Sequence, residues 1–358
     1  MRDLLLRPEH DFAGAIFRSE AGWNVPAGYG SIDTEVRAVR AAAGIIDLSD
    51  RAKIELTGSE RIPFLDGLVT ADIKVVAPGT SAYALFLNEK SRVLGDLRVY
   101  AFPESLVLDI EAGQTETILQ ILEKARVSDD VEFRDLGPTG HLGIHGPSAD
   151  AVIANALDVD PRGLALDAYL SFSVDKHHVA HVARMRPTGE SGFAIWSPGS
   201  SLRDVWEALV RQGATPIGRD AYDILRIEAG VPRFGVDMGA DTLALESAPE
   251  SALSFTKGCY VGQEIVARGT YIGQVRRKLV GIRVDGDLPP GHGDAVSKGS
   301  EQIGLVTSGA WSPTLDSMIA LALLRVDHVS PTDSLFVDRG GWELRGKLHA
   351  LPFVRSRA

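Results

Sequence analysis

Thr256-Lys257-Gly258-Cys259-Tyr260-Val261-Gly262-Gln263-Glu264-Ile265-Val266-Ala267-Arg268 is the stretch on which the reading of this chain turns. It sets the only cysteine of the chain two residues from an ammonium and beside two glycines, Gly258 and Gly262, where backbone can approach a ligand. A nearby cation stabilises a thiolate, which leaves Cys259 open to three roles: nucleophile, redox sensor, or ligand to a metal brought from outside. A buried structural cysteine is the plainer alternative. The neighbouring Lys, Gly, Gln and Glu speak against it, because an apolar core strand has no use for them.

Upstream of this stretch, helical and strand periodicities alternate. Val36, Val39 and Ala43 predict a helix over 33–43, with Gly44 as its left-handed cap. Residues 53–57 alternate as a strand, 60–68 return to helical spacing, and 83–87 with 93–102 read as a hairpin around Asn88-Glu89-Lys90-Ser91-Arg92. A strand at 105–111, a helix at 115–125 and a strand at 131–136 complete one mixed unit, about 52–136. Strands at 168–174, 178–185 and 192–195 then precede helices at 201–212 and 219–229, the last ended by Gly230-Val231-Pro232.

Downstream, after about Gln274, short strands separated by Gly and Pro replace the mixed pattern: 278–284, 302–308, 317–324, 334–337 and 342–349. They predict a small all-β barrel or sandwich. The expected organisation is therefore 1–275, two interleaved α+β subdomains, followed by 276–358.

Composition narrows the partners. Hydrophobic residues make up 44% and charged residues 24%, enough for sizeable cores. The net charge of -11 is concentrated before residue 276, since 276–358 hold 11 Lys+Arg against 9 Asp+Glu. No basic face for nucleic acid is expected. No apolar run suits a secretory signal or a membrane span, so a cytoplasmic protein without a membrane partner is expected. With one cysteine, no intrachain disulfide or four-thiolate site can form. His177 and His181 would share a strand face, but no acid or cysteine stands at ligand-like spacing, so no metal site is expected.

Lys257, Gly258, Cys259, Tyr260, Gly262, Gln263 and Glu264 spell Lys-Gly-Cys-Tyr-x-Gly-Gln-Glu, which resembles the signature of the YgfZ-type folate-binding proteins that assist iron–sulfur cluster assembly or repair. Further segments resemble the wider glycine-cleavage T-protein superfamily, in order: Glu35 to Arg40, Gly44 to Ser49, Phe64 to Thr70, Arg226 to Gly230, and Gly304 to Gly309 with Ser312-Pro313-Thr314. The resemblance runs from about Gly22 to Phe353. It implies a T-protein-like α+β fold around a central cleft that holds tetrahydrofolate or another reduced folate, with a carboxyl-terminal β-barrel closing one side. Iron–sulfur client or assembly proteins would be the partners of the signature branch.

The resemblance also distributes roles. Asp96 matches the T-protein aspartate placed at the reacting folate nitrogens, and with Cys259 it is a candidate catalytic residue. Period two puts Leu94, Asp96, Arg98 and Tyr100 on one face, so a simple ion pair of Asp96 with Arg98 or Arg92 is the alternative. Tyr83 matches an aromatic lining the folate pocket. Arg226 and Glu228 match a ligand-binding helix end, with an internal ion pair between domains as the alternative. Tyr83, Asp96, Tyr100, Glu190, Arg226 and Glu228 are thus the expected folate contacts.

Departures bear on activity. The acid that T-proteins carry after Gly-Phe is here Ala194, leaving Glu190 as the replacement candidate; Gly95 replaces the first acid of an Asp-Asp pair, and Ala71 stands where Thr-Asn-Asp-Ile is usual. T-proteins read Lys-x-Asp-Phe-x-Gly-x-Glu where this chain has Lys257 to Glu264. The expectation is a folate-binding accessory to iron–sulfur enzymes. A tetrahydrofolate-dependent aminomethyl or methyl transferase is the alternative, and a folate-free interaction module the third reading.

Overall fold

Alternating side chains give the strands of the first 250 residues one apolar and one polar face, and apolar faces must be covered. The computed structural model describes residues 1–272, 275–325, 327, 330 and 334–355, with backbone alone at 268–272. A five-stranded antiparallel sheet runs in the order Ser81–Leu87, Val93–Ala101, Leu106–Ile110, Ala52–Thr57, Glu132–Asp135. Ile54, Leu56, Leu97, Val99, Leu108 and Ile110 line one face and pack on Ile118 and Leu122 of the helix Thr115–Ala125 and on Phe64 and Leu65 of the helix Arg61–Asp66. The other face carries Lys53, Tyr83, Asp96, Arg98, Tyr100 and Asp109.

A six-stranded sheet has the order Tyr169–Ser173, Val179–Met185, Gly192–Pro198, Thr139–His145, Gly44–Asp47, Thr215–Pro216. The helices Ala149–Leu157 and Leu202–Arg211 bury their apolar stripes against it. A three-stranded sheet of Arg2–Asp3, Trp23–Gly28 and Ile16–Glu20 lies ahead of both in the chain. Among the described residues no helix is long and apolar enough to cross a membrane.

The carboxyl-terminal strands close into a six-stranded barrel in the order Arg277–Val284, Ser317–Arg325, Glu301–Ser312, Ala295–Lys298, Ser334–Arg339, Trp342–His349. Closure follows because Arg277–Val284 pairs with both Ser317–Arg325 and Trp342–His349. Ile282, Val296, Ile303, Ala320, Leu324 and Val337 fill its interior. Ile319 and Leu321 point outward onto Ile227 of the helix Arg219–Glu228, forming a seam between the barrel and the rest. The expected boundary at 275–276 adjoins residues 273–274, which lie outside the described residues.

Three local expectations are corrected. Gly44 does not cap a helix in a left-handed conformation; it begins a buried strand, where a Cβ would stand 2.4 Å from Val39 Cγ2. Gly143 to His145 form the end of a central strand, and the His145 ring occupies the space that side chains at 143 and 192 would need. His177 lies in the turn before Val179–Met185, so it shares no strand face with His181, whose ring stacks on Trp196 at 4.1 Å. Gln263 and Glu264 open a helix, Gln263–Ile272, that the periodicity did not announce.

Candidate functional site

The polar face of the five-stranded sheet is a set of cross-strand rows. Register puts Tyr83 opposite Arg98, Arg98 opposite Asp109, and Asp109 opposite Lys53. The adjacent row has Leu85 opposite Asp96, and Arg51 and Glu111 follow the paired Ala52 and Ile110.

These charges are partnered unequally. Lys53 Nζ donates to Asp109 Oδ1 at 3.0 Å and meets His141 Nδ1 at 3.1 Å. Arg51 Nε donates to the same Asp109 oxygen at 2.9 Å, and its Nη1 binds Glu111. Arg98 is held by Asp167 at 2.5 Å. Asp96 receives a single hydrogen bond, from the Tyr83 hydroxyl to Oδ2 at 2.7 Å; Oδ1 is buried with no partner among the described residues.

The two aspartates therefore titrate in opposite directions. Burial works against the Asp109 carboxylate, but Arg51, Lys53 and His141 together hold it well below the usual carboxylate range. Burial also acts on Asp96, the Glu111 charge adds to it, and Arg51 opposes only in part, so Asp96 is pushed up to about 6. Burial followed by the Asp96 charge pushes the Tyr83 hydroxyl well up, keeping it a donor. Burial pushes the Lys53 ammonium and the His141 imidazole down.

Tyr100 shares this face but sits four residues along the strand from Asp96, roughly 13 Å at strand rise. It is fully buried against Tyr169 and Trp196, with its hydroxyl unpartnered among the described residues. Gly95 points the other way: a Cβ there would lie 3.1 Å from Ile118 Cδ1, in the apolar core. An acid at 95 would not reach the Asp96 face. Ala194 is buried in the middle of its sheet, opposite Gly143 and Ala183.

Glu190, Arg226 and Glu228 gather elsewhere. Arg226 uses all three nitrogens, on Asp223, on Asp237 and Val231 O, and on Ser308 of the barrel. Glu228 binds Arg40, Ser312 and Thr314, and Arg40 binds Glu190 at 2.6 Å. This network ties the helix Arg219–Glu228 and the helix Ile32–Ala41 to the barrel.

The signature stretch divides its work. Lys257 Nζ is enclosed by the carbonyls of Asp66, Val69 and Ala71 at 2.5, 3.0 and 2.7 Å, with the Asp66 carboxylate at 3.0 Å. Its ammonium is thus committed to a loop clamp, correcting the expectation that it serves the thiol. Tyr260 packs in one apolar cluster with Leu85, Met238 and the flank of Tyr83. Gly262 needs its φ of 83°, and a Cβ there would lie 2.7 Å from Asn88 O. Cys259 is exposed, so the buried-cysteine alternative falls.

A depression of about 500 Å³ lies between the 71–82 and 251–256 stretches, lined by Val76, Ser81, Ala82, Leu253, Phe255 and Thr256 among others; Asp96 is not in its wall. Among the described residues no three His, Cys, Asp or Glu side chains converge on a metal position. Sequence reasoning missed Arg51, Lys53, Asp109, Glu111 and His141. The alternation of Arg51-Ala52-Lys53-Ile54 and of Asp109-Ile110-Glu111 was a usable signal, but only register joins the two.

Comparison with known proteins places this geometry. The GCVT N-terminal domain profile matches residues 6–257, and the glycine cleavage T-protein C-terminal barrel domain matches 277–355. An aminomethyltransferase of Listeria monocytogenes serotype 4b (strain CLIP80459) is 30% identical over 361 residues, covering 99% of each chain. One from Streptomyces coelicolor is 32% identical over 367 residues, covering 100% of this chain and 98% of the relative. The crystal structure of glycine cleavage system aminomethyltransferase T from Bartonella henselae superposes with a TM-score of 0.89 at 27% identity, covering 99% of this chain and 98% of that one. These relatives carry the transferase name, not that of the iron–sulfur branch that the signature stretch resembles.

Proposed function

The chain belongs to the glycine cleavage T-protein family, and from that premise we propose that it binds tetrahydrofolate at the Tyr83–Asp96 face and transfers a one-carbon unit to or from it. The observation that carries the reading is Asp96: a buried carboxyl with one oxygen anchored by Tyr83 and the other without a partner among the described residues. An orphaned polar atom in a buried site costs free energy, and a ligand donor or acceptor offsets that cost. A carboxyl pushed up to about 6 is also suited to exchange a proton near neutral pH. The folate would supply the ring and linker nitrogens on which a one-carbon unit travels. This chain's residues orient it, exclude water and hold a proton at Asp96.

Asp96 would carry this task without the second acid, since Ala194 offers no carboxylate and Glu190 is engaged with Arg40. Arg226 and Glu228 fall to holding the barrel in place. The test is transfer from an aminomethylated lipoyl carrier protein, or from a methylated amine, to tetrahydrofolate. Asp96→Asn is expected to lower turnover by about 100-fold or more. Turnover with no donor of either kind would remove the proposal.

A second reading, support of iron–sulfur cluster assembly, draws on one observation. Cys259 is exposed on a segment whose Lys257, Tyr260 and Gly262 serve to fix the backbone around it. Its partners would be cluster-bearing client or assembly proteins. Equal complementation of a deletion strain by Cys259→Ala and wild type would dispose of it.

A further inference from the structure

The depression of about 500 Å³ between residues 71–82 and 251–256 has walls from segments far apart in the chain, and hydrogen bonds tie those segments together. Ser254 N donates to Thr70 O at 2.9 Å, Thr70 Oγ1 donates to Ala252 O at 2.6 Å, and Lys257 Nζ donates to Ala71 O at 2.7 Å. Thr70, Ala252 and Lys257 are all buried, so water does not compete for these bonds. A cleft whose walls are fixed before a ligand arrives loses little freedom when it binds one.

The lining is one-sided in charge. Asp72 is its single ionisable residue; Val75, Val76, Leu253 and Phe255 make it apolar, and Ser251 and Thr256 add hydroxyls. Among the described residues Asp72 makes no ion pair, and its Oδ1 accepts from the Lys74 backbone N–H at 3.2 Å. The cations around it are committed to other acids. Lys74 and Lys257 both hold Asp66, at 3.1 and 3.0 Å, and Arg98, which donates to Ser81 Oγ of the lining, is paired with Asp167 at 2.5 Å. Two large apolar side chains of the lining meet solvent, Phe255 at 37% and Val75 at 75% exposure.

We propose that this depression is a ligand site separate from Asp96, and that it takes an organic ammonium ion with an apolar body. The ammonium lies against the Asp72 carboxylate and the body against Val75, Val76, Leu253 and Phe255. Pockets of about 300–1,000 Å³ hold small organic molecules, so the volume suits such a ligand. An anion would meet a carboxylate with no cation beside it. A wholly apolar ligand would take water from Asp72 and return no hydrogen bond or counter-charge. An ammonium satisfies the carboxylate, and an aromatic face adds attraction for a cation that reaches it. The net charge of -11 draws cations toward the protein as a whole. Lys257 is then a positioning residue, holding the 251–256 wall to Ala71.

The inference goes beyond the folate reading and does not depend on it, since Asp96 is not in the lining. The test is calorimetric titration of the intact protein at pH 7 with N,N-dimethylhexylamine, an ammonium ion at that pH, beside hexanoate, an anion with a similar hydrocarbon body. The amine should bind with a Kd of about 1 mM or tighter, and hexanoate about tenfold more weakly or not at all. Asp72→Asn should weaken the amine by about fivefold or more, and Phe255→Ala by about twofold or more. Asp96→Asn should leave amine binding unchanged. No binding of the amine, equal affinity for amine and hexanoate, or an unmoved affinity in Asp72→Asn would overturn the proposal. Loss of amine binding in Asp96→Asn would put the cation at the other site and overturn the separation. Asparagine keeps the acceptor for the Lys74 N–H, so Asp72→Asn is expected to fold, and Phe255→Ala at an exposed position gives a second variant.

Discussion

Two clusters of buried charge stand in this molecule, and they are built to different standards. At the seam between the barrel and the helix Arg219–Glu228, Arg226 spends all three nitrogens and Glu228 both oxygens on protein groups. On the sheet face, Asp96 has one oxygen bound and one without a partner among the described residues. Both regions hold ionisable side chains that the sequence marks by resemblance, so residue type alone does not separate them. Satisfaction does. A network closed on itself holds parts together, whereas a buried polar atom without a partner invites an outside one.

The comparison can be broken most sharply at the seam. Glu228→Ala would leave Arg40, Ser312 and Thr314 facing a void, and Arg226→Met would remove the cation paired with the buried Asp237; each is expected to cost about 3–5 kcal/mol in denaturant unfolding. Folded Glu228→Ala should still bind tetrahydrofolate with wild-type affinity if the seam is structural.

A smaller effect of opposite sign is expected at Asp96. Its folded pKa of about 6 lies above the unfolded value of about 3.9, so the folded state binds more protons, and stability falls as pH rises between the two. Asp96→Asn should therefore gain on wild type across this window, reaching about 1–3 kcal/mol above it, with no difference below about pH 4. Unfolding curves at several pH values read this directly, and a loss of stability at pH 8 would count against the uncompensated-carboxylate account.

The least effect is expected at Cys259. It is exposed, and the neighbouring Lys257 ammonium is committed to three carbonyls. Cys259→Ala should change stability by less than about 0.5 kcal/mol and leave folate affinity unchanged.

Much of this was legible in the chain itself. The helix Thr115–Ala125 and the strand Trp342–His349 fall where periodicity puts them, because each has one covered and one open face. The strand Thr139–His145 escaped, since it is central in its sheet and carries Gly140 and Gly143 where neighbouring side chains leave no room. Asp96 with Tyr83 was readable from alternation and resemblance together. Glu111 was not, because its meeting with Arg51 depends on the pairing of strands far apart in sequence. For the same reason Lys257 looked like a partner for the adjacent thiol, when its ammonium is spent on a loop nearly two hundred residues upstream.

The central claim is that the bare oxygen of Asp96 is a ligand position, and the most direct measurement is calorimetric titration of the anaerobic protein with tetrahydrofolate, wild type beside Asp96→Asn. The account predicts binding that weakens by about tenfold or more in the variant. Equal affinity in the two proteins would contradict it.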